Sequence, residues 1–230
     1  GGIYQGILAD CVVSSNTLRT TGTSAYGGGV CAVTASGCNL ESNRTVGAST
    51  DGGAAAKSLL ADCVLRNNVS GRDGGGVFEG ALSGCLIEGN ESVRNGGGVY
   101  NATLSNCMVR ANRALGSSAT TGIGGGFYAT SYSAYRCYFL DNEAAYRGGG
   151  AYQGIFYSCV FSGNRAAEGG GFYSSSTSYR LNSCAVMGNA ATYQCGGTYS
   201  GTIRNCIVYG NEAPLYPNWS SGTITYTCTD

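Results

Sequence analysis

Residues Gly96 to Asn112 read GGGVYNATLSNCMVRAN, and this order of residue types returns along the whole chain. Glycines open the unit and an apolar–aromatic pair follows (Val99-Tyr100). Leu104 stands three residues before Cys107, Val109 two after it, and Asn112 five after it. The cysteine recurs as Cys11, Cys38, Cys63, Cys85, Cys107, Cys137, Cys159, Cys184, Cys206 and Cys228, at spacings of 27, 25, 22, 22, 30, 22, 25, 22 and 22. The asparagine recurs as Asn16, Asn43, Asn68, Asn90, Asn112, Asn142, Asn164, Asn189 and Asn211. A fixed period in this range marks a solenoid, in which each unit buries its apolar face only against its neighbours.

Within a unit the alternation has period two. Val13, Leu40, Leu65, Ile87, Val109, Phe139, Phe161, Val186 and Val208 lie two residues after their cysteines, so on a strand they share the cysteine's face. The next position varies freely (Ser14, Glu41, Arg66, Glu88, Arg110) and is expected to face out. Short strands broken by glycine and asparagine turns predict an all-β fold: a single right-handed parallel β-helix of about ten coils, about 22 residues each. Residues 1–211 form the repeats. Residues 212–230, with both prolines and the lone tryptophan where glycines are due, form an irregular last coil, a cap or a junction.

Composition bounds the function. Twelve arginines and one lysine balance thirteen acids, there is no histidine, and charged residues make up only 11%. This gives no basic footprint for nucleic acid. No apolar run is long enough for a spanning helix, so no direct membrane insertion is expected.

The glycine clusters and the apolar-x-x-Asn motif resemble the repeats of the chlamydial polymorphic outer membrane proteins, which carry GGA-I and F-x-x-N. Phe139 to Asn142 (FLDN) and Phe161 to Asn164 (FSGN) match the second form; Val13, Ile87 and Val109 replace the phenylalanine elsewhere. GGG rather than GGA, and one cysteine per coil, set this chain apart. The resemblance implies a right-handed parallel β-helix, secretion, and a place on a bacterial surface in a structural or adhesive role.

The asparagine column reads as a stacked amide ladder. Asn43, Asn68 and Asn90 lie in N-x-S/T sequons but face inward; Asn101 and Asn218 are the better glycan acceptors. Stacked cysteines stand at the strand spacing of about 4.8 Å with parallel Cβ vectors, farther apart than a disulfide wants. They are therefore read as buried reduced thiols rather than bridges or a metal file. Cys31, in the place of an aromatic, and Cys195, in the place of a first glycine, break the pattern and are the candidates for a bridge or an intermolecular bond.

No cofactor or metal is expected. Asp10, Asp62, Asp73, Asp141, Glu79 and Glu143 are scattered, so the chain reads as non-enzymatic, with a polysaccharide lyase or hydrolase as the remote alternative. Outside, Glu41, Arg66, Glu88 and Arg110 predict a charge ladder, and Tyr138, Leu140, Val160, Ala185, Met187, Ile207 and Tyr209 an apolar strip for lateral contact. Gly1, Gly2, Ile3, Tyr4, Trp219, Ile224, Tyr226 and Cys228 are the candidates for end-to-end contact. The expected partner is a second copy, stacked head to tail into a filament or side by side. The alternative is an adhesin module binding surface glycans or a host protein.

Overall fold

The computed structural model describes residues 1–22, 24–116, 118 and 120–229. It is a parallel β-solenoid of about nine turns, ~24 residues each, with no helix among the described residues. The 22-residue unit is the minimal turn, and insertions raise the mean. Three long parallel sheets run the length of the rod, of fifteen, ten and eight strands, with a two-stranded sheet formed by inserted loops. We call them the glycine, cysteine and third sheets, after the sequence that feeds each.

The glycine clusters make one corner. Gly96 takes the left-handed conformation, at φ +63. A Cβ on Gly97 would lie 2.4 Å from backbone atoms of Arg113 and Gly125, and one on Gly98 would lie 3.0 Å from the Asn112 amide. The three glycines are thus one turn residue and two close approaches, and the second approach is to the asparagine column.

The rod has two kinds of interior. In the first five coils the glycine sheet holds continuous seven-residue strands, such as Val77–Ser83 and Val99–Ser105. Their core is aliphatic: Val30, Leu40, Leu60, Leu65, Val77, Leu82, Ile87, Val99, Leu104 and Val109 are buried. From the sixth coil each such strand splits in two, as in Phe127–Tyr128 and Ser133–Tyr135. In the sixth to eighth coils the core is aromatic, with Phe127, Phe139, Phe156, Phe161 and Phe172 fully buried, and in the eighth and ninth it returns to aliphatic side chains, Leu181, Val186, Ile203 and Val208. Phe156 presents edge contacts to Phe127, Phe139, Phe161 and Phe172 at 5.1–5.8 Å, while Phe139 and Phe161 stack at 4.9 Å.

The last coil corrects one reading. Strand pairing sets Cys228 beside Ile207, one place past Cys206, and Ile224 beside Ile203. Thr227, not Cys228, therefore continues the cysteine column. Its hydroxyl accepts from the Cys206 N–H at 3.4 Å and donates to the Thr225 carbonyl at 3.0 Å, as the thiols do in other coils. The final turn is one residue short of the base unit, which leaves Cys228 exposed. The strands Trp219–Ser220, Thr223–Thr225 and Cys228–Thr229 still pair in register, so residues 212–229 complete a coil of the same rod.

Candidate functional site

The asparagine column is a ladder of side-chain hydrogen bonds. The Asn142 amide nitrogen donates to Asn164 Oδ1 at 3.0 Å and to the Val109 carbonyl at 2.9 Å. Its own Oδ1 accepts from the Asn112 backbone and side-chain nitrogens, both at 3.0 Å. The pattern repeats from Asn16 to Asn211 and ends on Asn218, whose Oδ1 accepts from Asn211 at 2.9 Å. Asn218 occupies a corner place and turns its side chain into the column. It is buried, so the reading of Asn218 as an exposed glycan acceptor is wrong: its amide is a ladder rung. Asn101 is half-buried and its Oδ1 accepts from the Thr130 N–H at 3.0 Å.

The cysteine column follows the same logic with weaker bonds. Each thiol from Cys11 to Cys206 in the column donates to the carbonyl two residues back, at 3.0 Å for Cys11 and 3.3 Å for Cys159. Cys38, Cys85, Cys137, Cys159 and Cys206 also accept a backbone N–H of the coil before, as Cys137 does from Cys107 at 3.4 Å. All twelve cysteines are free. Burial raises the Cys38 thiol above its usual range. Cys195 takes the left-handed place of a first glycine at φ +57 and is fully buried; burial pushes its thiol up to about 12. Cys31 lies seven coils from Cys195, about 34 Å at the strand spacing, so the two cannot bridge. Burial also takes Cys195 out of reach of a second chain.

Cys31 and Ala56 leave a gap in the aromatic column of the glycine sheet, and the inserted loop fills it with Tyr26. The result is a continuous stack of Tyr26, Phe78, Tyr100, Tyr128, Tyr152, Tyr173 and Tyr199, with centroids 4.6–5.7 Å apart. Burial pushes the Tyr173 phenol up to about 12, against the pull of Arg147, whose guanidinium lies 4.7 Å from its ring centre.

Beside this stack runs a polar column that the sequence reading missed. Asp51 Oδ1 accepts the Asp73 N–H at 3.1 Å, Asp73 Oδ1 accepts the Asn95 N–H at 3.1 Å, and Asn95 Oδ1 accepts the Ile123 N–H at 3.3 Å. Arg72 pairs with both aspartates. Two carboxylates and an arginine do converge here, but Asp51 and Asp73 are buried and committed to backbone donors, so the cluster clasps successive coils. Burial raises the Asp73 carboxyl above the usual range, with the Asp51 charge adding to it. Farther along, Arg147 pairs with Glu168 at 2.7 Å, and Gln194 donates to Glu168 at 3.2 Å. Among the described residues no group of histidine, cysteine and carboxylates is arranged to hold a metal ion.

On the cysteine sheet, Glu88 is held between Arg66, at 2.8 Å, and Arg110. Glu41 stands beside Arg66 in register. A second charge column, Glu91, Arg113, Glu143 and Arg165, runs down the third sheet, with Arg113 and Glu143 at 3.2 Å. Its signal was the residue after each asparagine.

From the sixth coil onward the charges on the cysteine sheet give way to the apolar strip. Tyr138, Met187, Ile207 and Tyr209 are 40–55% exposed, so the inserted loops do not cover them. Leu140, Val160 and Ala185 lie half-buried between them. Of the residues read as end contacts, Gly1, Gly2, Tyr4, Trp219, Tyr226 and Cys228 are exposed. Ile3 and Ile224 pack partly against the core.

The fold and its ladders define the class: a β-solenoid repeat protein. The Chlamydia polymorphic membrane protein (Chlamydia_PMP) repeat matches residues 158–175. That stretch takes in the FSGN strand end with Asn164 and the corner glycines Gly169 to Gly171, and it contributes one strand to each of the three long sheets, Val160–Ser162, Arg165–Glu168 and Phe172–Tyr173. The match covers this one stretch, and the repeat it meets is one of bacterial surface proteins built as β-solenoids. The repeat family is not an enzyme family. No curated protein and no solved structure matches the chain.

Proposed function

We propose that the chain is a non-catalytic adhesive rod of a bacterial surface, binding through the outer faces of its later coils. The observation that carries this reading is the uncovered apolar strip. Tyr138, Met187, Ile207 and Tyr209 stand open on a flat sheet, and in the column of Met187 and Tyr209 the earlier coils hold the paired charges Arg66, Glu88 and Arg110. An exposed apolar strip of this length on an otherwise hydrogen-bonded rod supports a contact surface. The interior is given over to ladders, which leaves the outside as the place where partners are met.

The reading is tested by coating beads with the purified chain and measuring adherence to epithelial cell layers. The variant Tyr138→Ser/Ile207→Ser/Tyr209→Ser should lose most adherence with an unchanged melting temperature. Equal adherence of variant and wild type, or none by wild type, would overturn it. A second reading, side-by-side pairing of two rods, is favoured by the same strip because it would bury its apolar rows against each other. Sedimentation that shows a dimer abolished by the triple variant would support it; head-to-tail growth would appear as a series of longer species that the triple variant leaves intact.

A further inference from the structure

On the glycine sheet, the outward column two residues before the cysteines changes character at the sixth coil. In the first five coils it holds Ala9, Ser36, Ala61, Ser83 and Ser105. Then come Tyr135 and Tyr157, stacked with centroids 5.1 Å apart and planes within 4°. Tyr135 is in register with Ser105, so no ring of that column covers the face it turns toward the fifth coil. A pocket of about 290 Å³ lies here, lined by Ser105, Tyr135, Arg136, Tyr157 and Ser158. Through Ser105 it adjoins a shallow cleft of about 390 Å³ over the second to fifth coils, floored by Leu59, Ala61 and Ala81 and edged by Ser and Thr hydroxyls.

Three properties of this surface point to one kind of ligand. Aromatic faces beside small hydroxyl side chains suit a pyranose, which offers an apolar C–H face and a rim of hydroxyl groups. The groove runs along the rod, where coils succeed one another every ~4.8 Å, close to the advance of one sugar ring in an extended glycan. The charge is one-sided. The four positions before each cysteine of the sixth to ninth coils include Arg136, Arg180 and Arg204 and no carboxylate. Among the described residues no ion pair engages Arg136, whereas Arg66, Arg72, Arg110, Arg113 and Arg147 all have carboxylate partners.

We propose that this groove binds an anionic glycan, with a pyranose ring on Tyr135 and its carboxylate or sulfate on Arg136. Ser105 and Ser158 bond the ring hydroxyls, and the preceding sugars lie along the cleft toward Leu59. A planar guanidinium suits carboxylate and sulfate alike. This deepens the adhesive reading and rests on it, but uses a different sheet from the apolar strip.

The test is binding of four probes to the intact chain by titration calorimetry: hexagalacturonate, a heparin hexasaccharide, 3′-sialyllactose and neutral maltohexaose. At least one acidic probe should bind tenfold or more tightly than maltohexaose, and which one does so identifies the acid group and its source. Tyr135→Ala should weaken that probe at least tenfold, and Arg136→Gln should bring it to the level of maltohexaose. Both side chains are exposed, so the variants should keep the wild-type melting temperature. No binding by any acidic probe, equal binding of maltohexaose, or indifference to both substitutions would overturn the proposal. Bead adherence of the wild-type chain separates the two claims. Wild-type beads that adhere although no acidic probe binds the wild-type chain would sink this groove and leave the adhesive rod standing.

Discussion

The first five coils and the later ones are the same cross-section written in two vocabularies. The early coils bury leucine, valine and isoleucine, run unbroken seven-residue strands and wear a charge ladder on the cysteine sheet. The later coils break those strands in two, bury phenylalanine from the sixth to the eighth coil before returning to aliphatic side chains, and leave tyrosine, methionine and isoleucine open outside. What does not change is the asparagine ladder, with equal donor distances on both sides: Asn90 to Asn112 and Asn142 to Asn164 are each 3.0 Å. The backbone path is therefore held by groups that bond along the axis. Core and surface can vary if each column agrees with its neighbours above and below. Outer faces are free to specialise, and the later half has done so.

The ladder should matter equally in both halves. Asn68→Ala and Asn164→Ala each remove two donated bonds and leave buried groups unsatisfied, a loss of about 4 kcal/mol. Denaturant titration should give costs within about 1 kcal/mol of each other; a large difference would break the claim of a common frame. The core should separate the halves. Phe156→Leu loses edge contacts to four rings and should cost about 2 kcal/mol, with amide exchange rising in the later coils only.

A smaller effect tests the early half. The folded Asp73 carboxyl is raised by burial, so the fold prefers its protonated form. That contribution is fully present below the ordinary carboxylate pKa and is lost as pH rises through the raised value. Asp73→Asn keeps an oxygen for the Asn95 N–H and removes the charge. It should be more stable than wild type at pH 7, with the difference shrinking as pH falls through the raised value and vanishing below the ordinary carboxylate pKa. Chemical denaturation across this range checks it. The smallest effect is on the surface. Glu88→Gln should cost about 0.5 kcal/mol, visible in low salt and gone in high salt, since its partners are half-exposed arginines.

The features legible in the sequence were those that use one residue type per coil. Cysteine and asparagine each hold a column alone, so their spacing could be counted. The polar clasp could not be counted, because Asp51, Asp73 and Asn95 fill one role with two residue types, and the next coil supplies Ile123. Tyr26 was out of reach because an inserted loop has no register; the small Cys31 and Ala56 were its only trace. Cys228 misled because identity was followed over register. Ile224, one place early against its column, already showed that the last turn was short. The open face of Tyr135 needed the pairing with Ser105, which crosses the longest insertion in the chain.

The most direct test of one continuous rod in two vocabularies is thiol labelling of the native protein, read site by site by mass spectrometry. Cys228 should label at once, and Cys11 and Cys31 more slowly. Cys38 to Cys107 and Cys137 to Cys206 should stay equally protected, and all twelve thiols should react in denaturant. Fewer than twelve thiols in denaturant, or protection confined to one half, would contradict a single in-register column running through both.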